Sequence, residues 1–142
     1  TPEQEAEILG NYARGHDHRR LDGYDLQPVL SGQDIVTIQR TLPRVVVERP
    51  IIEYITQIVA KTRTWPAVEV GASPRASVNM LLASRALAAC QGRNYVIPDD
   101  VKQLAPWVLR HRLRLNPEAE IEGMTVETVI TAILDAVAAP QP

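Results

Sequence analysis

Phenylalanine is absent from this chain, and aromatic residues together make up only 4% of its 142 residues. A core without large rings has to be built from Leu, Ile, Val and Ala, as in small helical bundles. Cysteine occurs once, at Cys90, which excludes an internal disulfide framework and fits a reducing compartment. The neighbours Leu87, Ala88 and Ala89 suggest a buried structural thiol there rather than a nucleophile. No run of 18 apolar residues occurs, so no membrane-spanning helix is expected. Neither sign of charge dominates. The net charge is -2, which gives no electrostatic case for nucleic acid. No Ser-His-Asp or Cys-His constellation can be assembled for nucleophilic catalysis.

What is present is a chain of one domain's length, 45% hydrophobic and long enough for a real core. Its most informative stretch is Gly71-Ala-Ser-Pro-Arg-Ala76. Ser73 can cap a helix, and Pro74 suits the first helical position, where its missing N–H costs nothing. Arg75 then falls in the first turn, where a cation opposes the helix dipole. Helix N-termini attract phosphates, and an arginine beside those amides strengthens an anion site. The alternative is a solvated Arg75, or one paired with Glu69.

The pattern along the chain predicts an all-α fold: a bundle of about five helices preceded by one helix and a linker. Thr1-Pro-Glu-Gln4 is a capping box, and the helix it opens carries Ile8, Leu9 and Tyr12 and stops near Gly15. Residues 15–30 have no clean period and form a crossing linker. Ser31 to Asp34 open a helix with Ile35, Ile38 and Leu42 at helical spacing, which Pro43 ends or kinks. Val45 to Val47 are too short a run for a sheet. Pro50 starts a helix with Ile51, Ile52, Ile55, Ile58 and Val59 on one face, stopped by Trp65-Pro66. The helix from Pro74 to Gln91 is apolar around most of its circumference, which predicts a central, buried element. Gly92 follows as its C′ residue. Pro98-Asp99-Asp100 starts another helix with acids in its first turn, and Pro106 predicts a break or kink within it. Glu118 to Gly123 read as a loop. Thr125 caps the last helix, whose stripe runs from Val126 to Val137.

Other clusters carry little chemistry. His16-Asp17-His18 in a glycine-bounded loop suits zinc poorly, and Arg19 and Arg20 beside it could touch nucleotide or a neighbouring subunit. No metal site is expected. Arg110, His111, Arg112 and Arg114 suit a helix C-terminus, and no aromatics interleave to stack bases. A contact with a neighbouring protomer is a further possibility for them. Asp99 and Asp100 serve as dipole partners in a first turn.

Three blocks in order resemble the C-terminal lid of MoxR-type AAA+ ATPases. They are Tyr54-Ile-Thr-Gln-Ile-Val-Ala-Lys-Thr-Arg63, the hexapeptide Gly71 to Ala76 with its helix, and Gly92-Arg-Asn-Tyr-Val-Ile-Pro-Asp-Asp-Val101. Leu104 to Leu113 continues the match. The resemblance implies that residues 1–30 are the last helix of the ATPase core side with its crossing linker, and that residues 31–142 are the helical lid. It implies that Arg75 is the sensor-2 arginine, which reaches the phosphates of ATP, with Ser73 and Pro74 shaping the nucleotide contact. ATP and Mg2+ would belong to the full-length protein. Its phosphate loop and magnesium-binding carboxylates have no counterpart here. With no initiating Met, the chain is expected to be the C-terminal fragment of a cytoplasmic ATPase and inactive alone. Further implied partners are the missing N-terminal core, a homo-oligomeric and hexameric ring, and von Willebrand factor A domain proteins. The implied work is chaperone-like remodelling or maturation, driven by lid rotation about the Gly71 region and the linker. A magnesium-chelatase-type lid and a stand-alone helical binding module are the alternatives. The Arg110-His-Arg112 block and the extent of the match favour the MoxR type.

Overall fold

A computed structural model describes residues 1–16 and 26–141. His18, Arg19 and Arg20 lie outside the described residues, so that cluster is not developed further. Cα packing divides the chain into Thr1–Ile35 and Val36–Pro142.

The first unit holds α1 (Pro2–Ala13) and the start of α2 (Gly32–Thr41). At α1 the Gln4 side chain accepts from the Thr1 nitrogen at 2.7 Å, and none of its residues is buried. The opening of α2 is a full capping box. Ser31 N–H and its hydroxyl both donate to Asp34 Oδ2 (2.8 and 2.6 Å), and Asp34 N–H donates back to Ser31 Oγ at 3.1 Å. These bonds hold the Asp34 carboxyl below its ordinary value, the hydroxyl contributing most and the Ser31 amide next.

The second unit carries the core. A 3₁₀ turn at Leu42–Arg44 follows α2, as Pro43 predicts. Helix α3 (Arg49–Thr62) buries Ile51, Tyr54, Ile55, Ile58 and Val59. Ile52, expected on that face, is exposed. It follows Ile51 by 100° of helix turn, which carries it past the edge of the buried stripe. Strand β1 (Val68–Val70) leads into α4 (Pro74–Cys90), which packs most extensively on α5 (Pro98–Leu109) and then on α3. A 3₁₀ turn at Arg110–Arg112 precedes β2 (Arg114–Leu115), α6 (Pro117–Ile121) and α7 (Val126–Ala136). Thr125 caps α7 by accepting from the Thr128 amide, and Val129, Ile130 and Ile133 enter the core.

The all-α expectation holds, with a small addition. Strands β1 and β2 pair antiparallel, Val68 opposite Leu115 and Val70 opposite Arg114, with a register irregularity between. The Val45–Val47 run makes only an isolated parallel bridge, Val46 to Tyr95.

Four local expectations are corrected. Residues 118–121 are helical, because Asn116 Oδ1 accepts from Ala119 N–H at 2.9 Å and Pro117 occupies the first position. Pro106 does not break α5. Val101, Ala105 and Leu109, all fully buried, hold the helix through the hydrogen bond that Pro106 cannot donate. Helix α4 is not buried all round. It buries Ala76, Met80, Ser84 and Ala88, a narrow line at i+4 spacing whose small residues admit close packing. Val78 and Leu82 are more than half exposed. Cys90 is likewise exposed rather than buried, because it falls off that line in the last turn.

Candidate functional site at the start of α4

The turn from β1 into α4 presents the hexapeptide. Ser73 is the N-cap, extended at φ -75° and ψ 165°, and its carbonyl accepts from Ala76 N–H at 2.8 Å. Its hydroxyl makes no capping bond, so it stays available at the surface. Pro74 is the first helical residue and Arg75 the second, with no acid in that turn. Arg75 is exposed and has no ion pair or hydrogen bond among the described residues. The pairing with Glu69 is overturned. Glu69 is held across the ribbon by Arg114, with Nε to Oε2 at 3.0 Å and Nη2 to Oε1 at 3.1 Å. A guanidinium without a carboxylate, at the positive end of a helix, is set up to receive an anion. Val78 and Leu82 lie one and two turns further along the same face, giving an exposed apolar line that starts at Arg75.

The backbone just before Ser73 is held on both sides. Thr62, fully buried at the end of α3, accepts from Ala72 N–H at 3.0 Å and donates to the Val59 carbonyl at 2.7 Å. Arg63 Nη1 donates to the Ala72 carbonyl at 2.8 Å. At Gly71 a Cβ would stand 2.7 Å from Arg63 Cα and 2.8 Å from its N, closer than real side chains approach. Gly71 is therefore a close contact between the turn and α3, not a free pivot. Neither Thr62 nor this role of Gly71 is visible in local sequence, because the partners are joined only by the fold.

At the other end of α4, Gly92 (φ +74°) forms a Schellman cap. Arg93 N–H bonds the Ala88 carbonyl at 2.9 Å, and Gly92 N–H bonds that of Ala89 at 3.0 Å. Arg93 then grips Asp100 bidentately, Nη2 to Oδ1 at 2.6 Å and Nη1 to Oδ2 at 2.9 Å, while Asp100 Oδ2 also accepts from Ile97 N–H at 2.9 Å. Bonding to Asp100 raises the Arg93 pKa further. Asp100 is thus a buried clamp between α4 and α5, more than a dipole partner.

Two members of the basic cluster, Arg110 and Arg114, are engaged in separate structural contacts. Arg110 stacks on the Trp107 ring at 4.7 Å and meets Glu127 at 3.4 Å, and Arg114 holds Glu69. Among the described residues, no three His, Cys, Asp or Glu side chains could hold a metal ion, and no helix is long and apolar enough to cross a membrane.

Comparison with known proteins places these features in a family context. Residues 60–133 match the family described as AAA lid domain. The chain is 44% identical over 137 residues to the uncharacterised protein YeaC of Bacillus subtilis, covering 96% of this chain and 41% of YeaC. It is 36% identical over 152 residues to the chaperone MoxR1 of Mycobacterium tuberculosis, covering 99% and 38%. Magnesium-chelatase subunits match over shorter stretches. A solved structure, a candidate ATPase from Cytophaga hutchinsonii, superposes with a TM-score of 0.78 at 28% identity, over 96% of this chain and 43% of that one. The chain spans about two-fifths of the length of the curated relatives it matches.

Proposed function

The chain belongs to the AAA lid domain family, in its MoxR-type branch, and from that premise we propose that it is the nucleotide-sensing lid of a MoxR-like ATPase. The carrying observation is Arg75: exposed, unpaired, and fixed in the first turn of α4. In this reading Arg75 donates charge-assisted hydrogen bonds to phosphate oxygens of ATP held by the ATPase core. Ser73 and Pro74 shape the backbone that delivers it. ATP supplies a phosphoanhydride bond whose cleavage changes the charge that Arg75 meets. The residues present fit that task on the lid side alone, and Mg2+ belongs with the core.

A lid that binds Arg75 differently before and after hydrolysis is a two-state element biased by phosphate contacts. Val78 and Leu82 support docking of the core along the same face. The wider reading is a chaperone-like machine, supported by the likeness to the chaperone MoxR1; its cytoplasmic location, hexameric ring and von Willebrand factor A domain partners are carried over from the family resemblance alone. The matches to magnesium-chelatase subunits support a second reading, in which the same Arg75 serves a chelatase-type motor.

Removing one charged hydrogen bond costs about 1.5–3 kcal/mol, or roughly 10- to 100-fold in rate. Arg75→Ala in the ATPase carrying this lid is therefore expected to lower ATP turnover by that factor with the fold intact. Unchanged turnover and unchanged ATP affinity would refute the sensor role. The chain by itself is expected neither to hydrolyse ATP nor to bind it at micromolar concentration.

A further inference from the structure

The Ala72 backbone is gripped at both its N–H and its C=O by consecutive side chains at the C-terminal end of α3. Thr62 takes its N–H and Arg63 its C=O, and Gly71 presses the same turn against the Arg63 backbone. We propose that Thr62 and Arg63 are positioning residues for Arg75, an inference that holds only if Arg75 meets phosphate as just described. Between Ala72 and Arg75 stand the extended Ser73 and the φ-locked Pro74, so little backbone freedom separates the clamp from the arginine. The Thr62 hydroxyl is itself oriented, because it donates to the Val59 carbonyl while accepting from Ala72. Arg75 makes no hydrogen bond or ion pair of its own among the described residues that could set its place. The location of its Cα is set by this clamp on one side and by the buried Ala76 on the other, and a misplacement of 1 Å at a reacting site can cost about 100-fold in rate.

The test uses the ATPase carrying this lid, with turnover measured at saturating ATP. The variants are Thr62→Val, Thr62→Ser and Arg63→Ala, each alone and combined with Arg75→Ala. Thr62→Val is expected to lower turnover about tenfold or more, within the range of such misplacements. Thr62→Ser, which keeps the hydroxyl, is expected to restore most of it. In the Arg75→Ala background Thr62→Val should add nothing, because the two changes act through one contact. If Thr62→Val does not fold, Arg63→Ala carries the same expectation, since Arg63 is exposed and its loss leaves the core intact. A loss from Thr62→Val or Arg63→Ala that multiplies with that of Arg75→Ala marks a merely structural role and overturns the inference. Impaired Arg75→Ala beside unchanged Arg63→Ala and Thr62→Val overturns the inference alone. Unchanged Arg75→Ala overturns the sensor reading and this inference with it.

Discussion

Replacing Tyr54 with Phe should stabilise this protein, although it deletes a polar atom from the middle of the core. Tyr54 is 1% exposed, and its hydroxyl has no hydrogen-bond partner among the described residues. An unsatisfied buried polar group costs about 1–3 kcal/mol. Phe keeps the ring and removes that cost, while the lost oxygen gives up a few dispersion contacts of ~0.1–0.2 kcal/mol each. The net gain is about 1 kcal/mol, or roughly 3–4 °C in Tm for a chain of this size. The effect should grow in alkali. Burial raises the Tyr54 pKa above the ordinary 10.0, with the Asp99 and Asp135 carboxylates adding to it. A phenol whose folded value is raised favours folding fully below 10.0, and that contribution is lost as pH climbs past it. Wild type therefore weakens above pH 10 in a way the Phe variant does not. Urea unfolding of both proteins at pH 7 and at pH 11 gives the two differences directly, since the other tyrosines cancel. A Phe variant less stable than wild type by about 0.5 kcal/mol or more would mean that the hydroxyl is satisfied, and would refute the reasoning.

Two further outcomes are expected. Leu82→Glu should leave the isolated chain within about 0.5 kcal/mol of wild type, because Leu82 is 53% exposed. In the ATPase it should weaken the lid's seat on the core and lower turnover, and a fully active Leu82→Glu enzyme would argue against docking on that face. The Ser31–Asp34 capping box should survive acid to below pH 3.8, the ordinary carboxyl value, because bonding lowers the Asp34 pKa. Its contribution is full above 3.8 and is lost as pH falls through the lower folded value. An NMR titration of the Ser31 and Asp34 amides should show a midpoint below 3.8.

The parts of this fold that could be read from sequence are those written within one turn. Ser31 with Asp34, Ser73 before Pro74, Gly92 after α4 and Thr125 before α7 each specify a helix end through neighbours three or four residues away. Arg75 was placed correctly for the same reason. What escaped depends on partners distant in sequence or on which side of a helix faces inward. Its alanines make α4 read as apolar around most of its circumference, yet only its line from Ala76 to Ala88 is buried, and Cys90 falls off that line. Asp100 looked like any first-turn acid until Arg93 was found folded back on it. The β1–β2 ribbon joins segments on either side of two helices, and three or two residues of strand give no period to detect.

That ribbon also bears on the order of assembly. Helices α4 and α5 are near neighbours in sequence and can find each other early, whereas joining Val68 to Leu115 closes the whole intervening stretch into a loop. The turn that carries Arg75 leaves directly from β1, yet Thr62 and Arg63 grip it from only ten and nine residues away, so its anchoring does not wait for that closure. A chain that has not yet closed the ribbon can still hold this turn against the end of α3. Ribbon and clamp thus divide the work by range: contacts within ten residues hold the turn, and the distant pairing ties together the segments on either side of α4 and α5.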